Sequence, residues 1–189
     1  MINDPKFITA KDWFEKLRDD LIETIESIDE NKFEITNWNH KGEGGGKMSK
    51  IKGKIIEKGG VNISTVGGVF NEQMRESIPG AKEDPNYKAT GISVVLHPLS
   101  PKIPSMHFNT RFLKTNQEWF GGGIDITPSL KFNAEEKYHT GLEKICNKYD
   151  KTYYPKYKKW CDDYFFLKHR KEARGIGGIF FDYLQTGDW

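Results

Sequence analysis

The residues with chemistry to offer fall in three short β-like runs. In Ser105 to Lys114 (SMHFNTRFLK) side chains alternate across a strand, so His107, Asn109 and Arg111 share one face while Met106, Phe108 and Phe112 share the other. The same parity pairs Ser93 with His97 in Gly91 to His97, and Asp125 with Thr127 in Trp119 to Thr127. If the three polar rows lie on one sheet face, they form a pocket with a hydroxyl, two imidazoles, a guanidinium and a carboxylate. Alternation of this kind is also how an ordinary antiparallel sheet faces water. The residue types argue for chemistry: a chain with 24 Lys and only five Arg places Arg, His, Asn and Asp in these rows. The planar fork of Arg111 suits a carboxylate, to which it can donate two parallel hydrogen bonds, so an acidic ligand is expected. Asp125 follows Gly121, Gly122 and Gly123, which admit either a closely approaching ligand or a tight turn with Asp125 paired to a lysine.

Other chemistries fit less well. His97, His107, His139 and His169 are spaced by 10, 32 and 30 residues, without a local H-x-H or H-E-x-x-H pattern for a metal. The glycine clusters match neither nucleotide fingerprint, and Gly44 to Lys47 lacks the phosphate-loop spacing. Ser93 with a histidine and Asp125 would make a hydrolase triad, but Ser93 sits within a strand rather than in a G-x-S-x-G elbow. Cys146 and Cys161 have no second pair and read as buried thiols.

The elements that must position these rows follow from pattern. With 189 residues the chain can bury a hydrophobic core, and residues 1–189 are expected to form a single domain. Its 29 basic and 27 acidic side chains leave a net charge of +2, which gives no concentrated basic surface for nucleic acid. No stretch is apolar enough to span a bilayer and the first 20 residues are too charged for a signal peptide, so a cytoplasmic protein is expected. Ala10, Trp13, Phe14, Leu17, Leu21, Ile25 and Ile28 predict an amphipathic helix behind Thr9 as N-cap. From Phe33 the period changes to two, and Val61, Ile63 and Thr65 mark a half-buried strand. Asn71 to Lys88 reads as a polar surface connection. Asn133 and Glu136 have capping-box spacing before the stripe Tyr138, Leu142, Ile145, Cys146 and Tyr149. Pro155 suits the first turn of a further helix, with Gly175 as its terminator, and Ile176 to Leu184 reads as a last strand. Strands grouped in the middle make this an α+β chain.

Four segments resemble oxygen-dependent coproporphyrinogen III oxidases: EKGGVNIS at 57–64, GISVVLHPLSPKIPSMHFNTRF at 91–112, WFGGGIDITP at 119–128 and YPKYKKWCDDYFFLKHRKEARGIGGIFFDYL at 154–184. The resemblance extends from about Gly42 onward. It implies a flat antiparallel β-sheet sandwiched between helices, incomplete at the C-terminal side because family members continue past the point matching Trp189. It implies oxidative decarboxylation of two propionates of coproporphyrinogen III to vinyl groups, in haem biosynthesis, by a homodimer. O2 is the co-substrate and no organic cofactor is used. Ser93, Asn109, Thr110 and Arg111 match the substrate-binding positions, and His107, Asp125 and Arg111 the catalytic ones. His97, His107, His139 and His169 match histidines described in some members as ligands of a divalent metal, although the reaction is regarded as metal-independent. The chain departs from the family pattern at Thr110, at Ser129 and Leu130, and where Lys47 or Lys50 stands for an arginine. A non-catalytic tetrapyrrole- or anion-binding fragment is the alternative reading.

Overall fold

The structure is a computed structural model that describes residues 4–185. Its first element, α1 (Pro5–Asp29), starts earlier than the Thr9 expectation. The Asp4 side chain accepts the Lys6 N–H at 3.1 Å, and Pro5 supplies a preset φ where no helical N–H is needed. Thr9 lies inside the helix instead, its hydroxyl donating to the Pro5 carbonyl at 2.8 Å. Phe7, Ala10, Phe14, Ile22 and Ile25 form the buried stripe that the apolar spacing demands.

Among the described residues seven strands follow as an antiparallel meander: β1 (Glu34–Asn39), β2 (Glu43–Ile51), β3 (Ile56–Val69), β4 (Asn86–Pro98), β5 (Ser105–Lys114), β6 (Glu118–Thr127) and β7 (Gly177–Leu184). Each strand pairs with its neighbours in sequence, across short hairpin connections except before β4 and β7, where helical segments intervene. The polar connection after β3 carries one helical turn, α2 (Glu72–Arg75), capped by the Asn71 side chain. Val61 opposite Val94 and Ile63 opposite Ile92 are buried beneath α1, and Phe112 joins them. Burying this row is what the sheet gains from α1.

Helices α3 (Glu135–Cys146) and α4 (Tyr153–Tyr164) precede β7, and α4 packs on that strand. Tyr164 stacks on Phe180 with centroids 4.2 Å apart, and Tyr157 meets Phe181 at 5.3 Å. The capping box expected at Asn133 does not form. Ala134 occupies the cap without a side-chain bond, and the acidic Glu135 and Glu136 complement the helix dipole of the first turn. Pro155 falls in the first turn of α4 as expected, but the helix stops at Phe165, well before Gly175. Gly175 turns the chain into β7 at φ 60°, where a Cβ would lie 2.3 Å from the Ile126 carbonyl. Among the described residues no helix is long and apolar enough to cross a membrane.

Candidate functional site

Strand register puts the three polar rows on one face. Ser93 stands opposite Asn109, Gly91 opposite Arg111, and His107 opposite Asp125. The other face of the same strands carries Ile92, Val94, Phe108 and Phe112 toward the α1 core. Thr110 belongs to that apolar side: it stands opposite Ile92, and its hydroxyl donates to the Gly121 carbonyl at 3.3 Å. Its side chain therefore turns to the opposite face from those of Asn109 and Arg111, although Thr110 borders the same cavity as they do.

Asp125 is the centre of the polar face, with 3 % of its surface exposed. A carboxylate this deep must be paired and hydrogen-bonded. Arg174 supplies the charge through a forked contact, with Nη2 at 2.8 Å from both Asp125 oxygens and Nε at 3.2 Å from Oδ2. His107 Nδ1 lies 2.8 Å from Oδ1, and its Nε2 is 3.3 Å from the Asn109 amide nitrogen. This arrangement assigns the imidazole proton to Nδ1, donating to Asp125, and leaves Nε2 as an acceptor of Asn109. Phe165 braces both partners: the Arg174 guanidinium lies 3.5 Å over its ring, and the His107 ring meets it edge-on at 6.2 Å. Two acidic hydrogens beside Asp125 are held tightly. Burial, with the Asp125 charge second, pushes the Tyr138 phenol up, and the same causes raise the Cys161 thiol to about 12. Cys146 and Cys161 are buried thiols, as expected.

Arg111 lies farther along the same face. Its Nη2 donates to Asp182 Oδ2 at 2.5 Å. Together with Trp38, Asn62, Ser64, Ser93 and Asn109 it lines a cavity of about 330 Å³. Gly121 makes the space for this arginine: a Cβ there would lie 3.1 Å from the guanidinium carbon.

The four histidines of the expected metal set stand apart. His97 Nδ1 meets the Ser105 hydroxyl at 3.2 Å, and His107 belongs to Asp125. His139 donates from Nε2 to the Ile176 carbonyl at 2.9 Å and accepts the Tyr154 hydroxyl on Nδ1 at 3.0 Å, which uses both ring nitrogens. His169 is exposed. Among the described residues no three His, Cys, Asp or Glu side chains converge as a metal centre. As placed, these four do not fit a shared ion, and no step is drawn through one.

Three participants escaped the sequence reading. Asp125 pairs with Arg174 rather than with a lysine, Phe165 stacks beneath that arginine, and Asp182 holds Arg111. Arg174 was visible only as one of the few arginines in a lysine-rich chain, standing directly before the glycine turn at Gly175. Phe165 and Asp182 gave no separate signal.

Comparison with known proteins places the chain in a family. The family model described as coproporphyrinogen III oxidase matches residues 9–189. An oxygen-dependent coproporphyrinogen-III oxidase of Rickettsia akari (strain Hartford) is 52% identical over 97% of this chain and 70% of its own length. That of Rickettsia rickettsii (strain Sheila Smith) is 50% identical with the same coverage. The Rickettsia bellii (strain RML369-C) protein of that name is 51% identical over 94% of this chain and 67% of its own. With the family model spanning nearly the whole chain and half of all aligned positions identical, the chain belongs to the coproporphyrinogen III oxidase family.

Proposed function

We propose that this chain converts coproporphyrinogen III to protoporphyrinogen IX, with O2 as electron acceptor, in haem biosynthesis. The observation that carries the reading is the Asp125 carboxylate, buried on the polar sheet face and fixed by Arg174 and His107 beside an arginine suited to propionate. Each reacting propionate loses CO2, one proton and two electrons, and the electrons pass to O2. Asp125 is set to offset positive charge as the ring gives up electrons. Because Arg174 and His107 already hold it, little reorganisation is needed when that charge develops. Arg111 orients a propionate, and Ser93 and Asn109 offer neutral hydrogen bonds beside it. His107 is the proton donor: Nε2 takes up a proton as the Asn109 amide N–H releases it, while Nδ1 stays committed to Asp125.

Several finer points belong to the same proposal and rest on the family resemblance. Residues 1–189 belong to one coproporphyrinogen III oxidase domain, the working form of the family is a cytoplasmic homodimer, and no organic cofactor takes part. His97, His139 and His169 are given no step in it, and His107 acts through Asp125 rather than through a metal.

The test is aerobic incubation of the purified chain with coproporphyrinogen III, followed by oxidation and product fluorescence. Protoporphyrin is the expected product. Tight binding of the tetrapyrrole without CO2 release would replace the enzyme reading with that of a non-catalytic tetrapyrrole-binding protein.

A further inference from the structure

Arg111 is not held in the way a simple surface arginine is. Asp182 reaches it from β7 because the β6–β7 register shifts between Phe120 and Gly122, a bulge that gives β7 the extra residue and re-aims its side chains. Tyr183, the next residue, takes a left-handed φ of 56°, uncommon for a non-glycine residue, and its N–H donates to Asp182 Oδ1 at 3.0 Å. That bond fixes the carboxylate so that Oδ2 meets Arg111 Nη2 at 2.5 Å. Opposite Arg111, Gly121 leaves the room the pair occupies: a Cβ there would stand 2.4 Å from Asp182 Oδ1 and 3.1 Å from Arg111 Nη2. A bulge, a left-handed residue and a glycine thus converge on one contact. Backbone strain of this kind clusters where a side chain must be held in place for function.

The contact engages a single nitrogen of the guanidinium. Arg111 is the one charged side chain among the described residues lining the cavity it shares with Ser64, Ser93 and Asn109. An anion arriving there meets an arginine that already carries a counter-charge. We propose that Asp182 is a positioning residue for carboxylate recognition: it holds Arg111 by one nitrogen, leaves the rest of the fork to a substrate propionate, and weakens that propionate's hold so that it exchanges. This rests on the reading of the site given above. A substrate with several carboxylates gains from such tempering, since a second carboxylate bound too tightly would slow release.

The sign of the effect separates this role from a structural ion pair. The probe is coproporphyrin III, the oxidised tetracarboxylate, titrated into the whole chain and followed by its fluorescence. Asp182→Asn keeps the shape and the acceptor of the Tyr183 N–H but removes the charge. It is expected to bind the probe roughly fivefold more tightly than the parent, with lower kcat and lower KM for coproporphyrinogen III. Asp182→Glu, which restores the charge, is expected to return affinity toward the parent. Unchanged or weaker binding by Asp182→Asn, with a parent that binds, would overturn the role of Asp182 alone. Failure of both parent and variant to bind would overturn this proposal and the functional reading together. Loss of the folded circular dichroism spectrum in both Asp182→Asn and Asp182→Ala would make the contact structural and overturn the proposal as well.

Discussion

Asp29, at the end of α1, and Asp125, in β6, are both almost wholly buried, with 1 % and 3 % of their surfaces exposed, yet they are satisfied by opposite means. Asp29 accepts backbone N–H groups from Lys54 and Ile55 at 3.0 Å and from Ile56 at 2.6 Å, and the Asn31 amide at 2.8 Å. Its partners are mainly backbone, and it ties the helix end to the entry of β3. Asp125 accepts side chains, a guanidinium and an imidazole, that reach it from β5 and from the turn before β7. Backbone partners are fixed by the fold itself and leave a carboxylate nothing to do but hold. Side-chain partners can be reoriented, and they bring groups that titrate or bind anions to the edge of an open face. One buried acid serves as a staple; the other is the one we propose as a working group.

The largest expected effect separates them by activity. Asp125→Ala is expected to lower kcat about a thousandfold with only modest loss of substrate binding, read by steady-state kinetics. Equal kinetics for variant and parent would erase the distinction between the two carboxylates. Stability should separate them in the other direction. Asp29→Ala strands the N–H groups of Lys54, Ile55 and Ile56, and should cost about 3 kcal/mol in urea unfolding. Asp125→Ala should cost less, because its main partner Arg174 is one-third exposed and can be rehydrated.

Arg111→Lys tests whether the polar face reads shape as well as charge. A lysine keeps the charge without the planar fork, so KM is expected to rise roughly fivefold in the same assay. An unchanged KM would reduce Arg111 to a point charge.

A further contrast concerns acid. Burial alone would raise the Asp29 pKa, but the Ile56 N–H, the Asn31 amide and the N–H groups of Ile55 and Lys54 outweigh it and bring it from 3.8 to about 2. A carboxyl depressed on folding stabilises the native state above its unfolded pKa and loses that contribution as pH falls through the folded one. Thermal melts of Asp29→Asn should therefore show a flatter acid limb than the parent between those two values. Parallel limbs would contradict it.

How much of this was legible depends on the distance over which the information lies. Period-two alternation is local, so the shared face of His107, Asn109 and Arg111 and the buried row Val61, Ile63 could be read directly. That the rows of Ser93 and Asp125 join them depends on strand register, which the alternation made conditional and the pairing supplies. Arg174 lies 49 residues beyond Asp125, in a turn without periodicity, and no spacing rule links the two. Asp182 reaches Arg111 only because of a bulge and the left-handed Tyr183, which strand alternation does not forecast. Helix ends were misread where two caps competed: Asp4 followed by Pro5 outweighs Thr9, and Asn133 sits one residue too early for its side chain to cap α3.

The most direct test of the central claim is a single-turnover comparison of the parent with Asp125→Asn, under air and with protein in excess over coproporphyrinogen III. Following bound tetrapyrrole and CO2 together separates holding from chemistry. The account expects the variant to bind as the parent does and to release almost no CO2. Release at the parent's rate would show that the carboxylate held by Arg174 and His107 is a second staple, and that the chemistry lies elsewhere on the sheet.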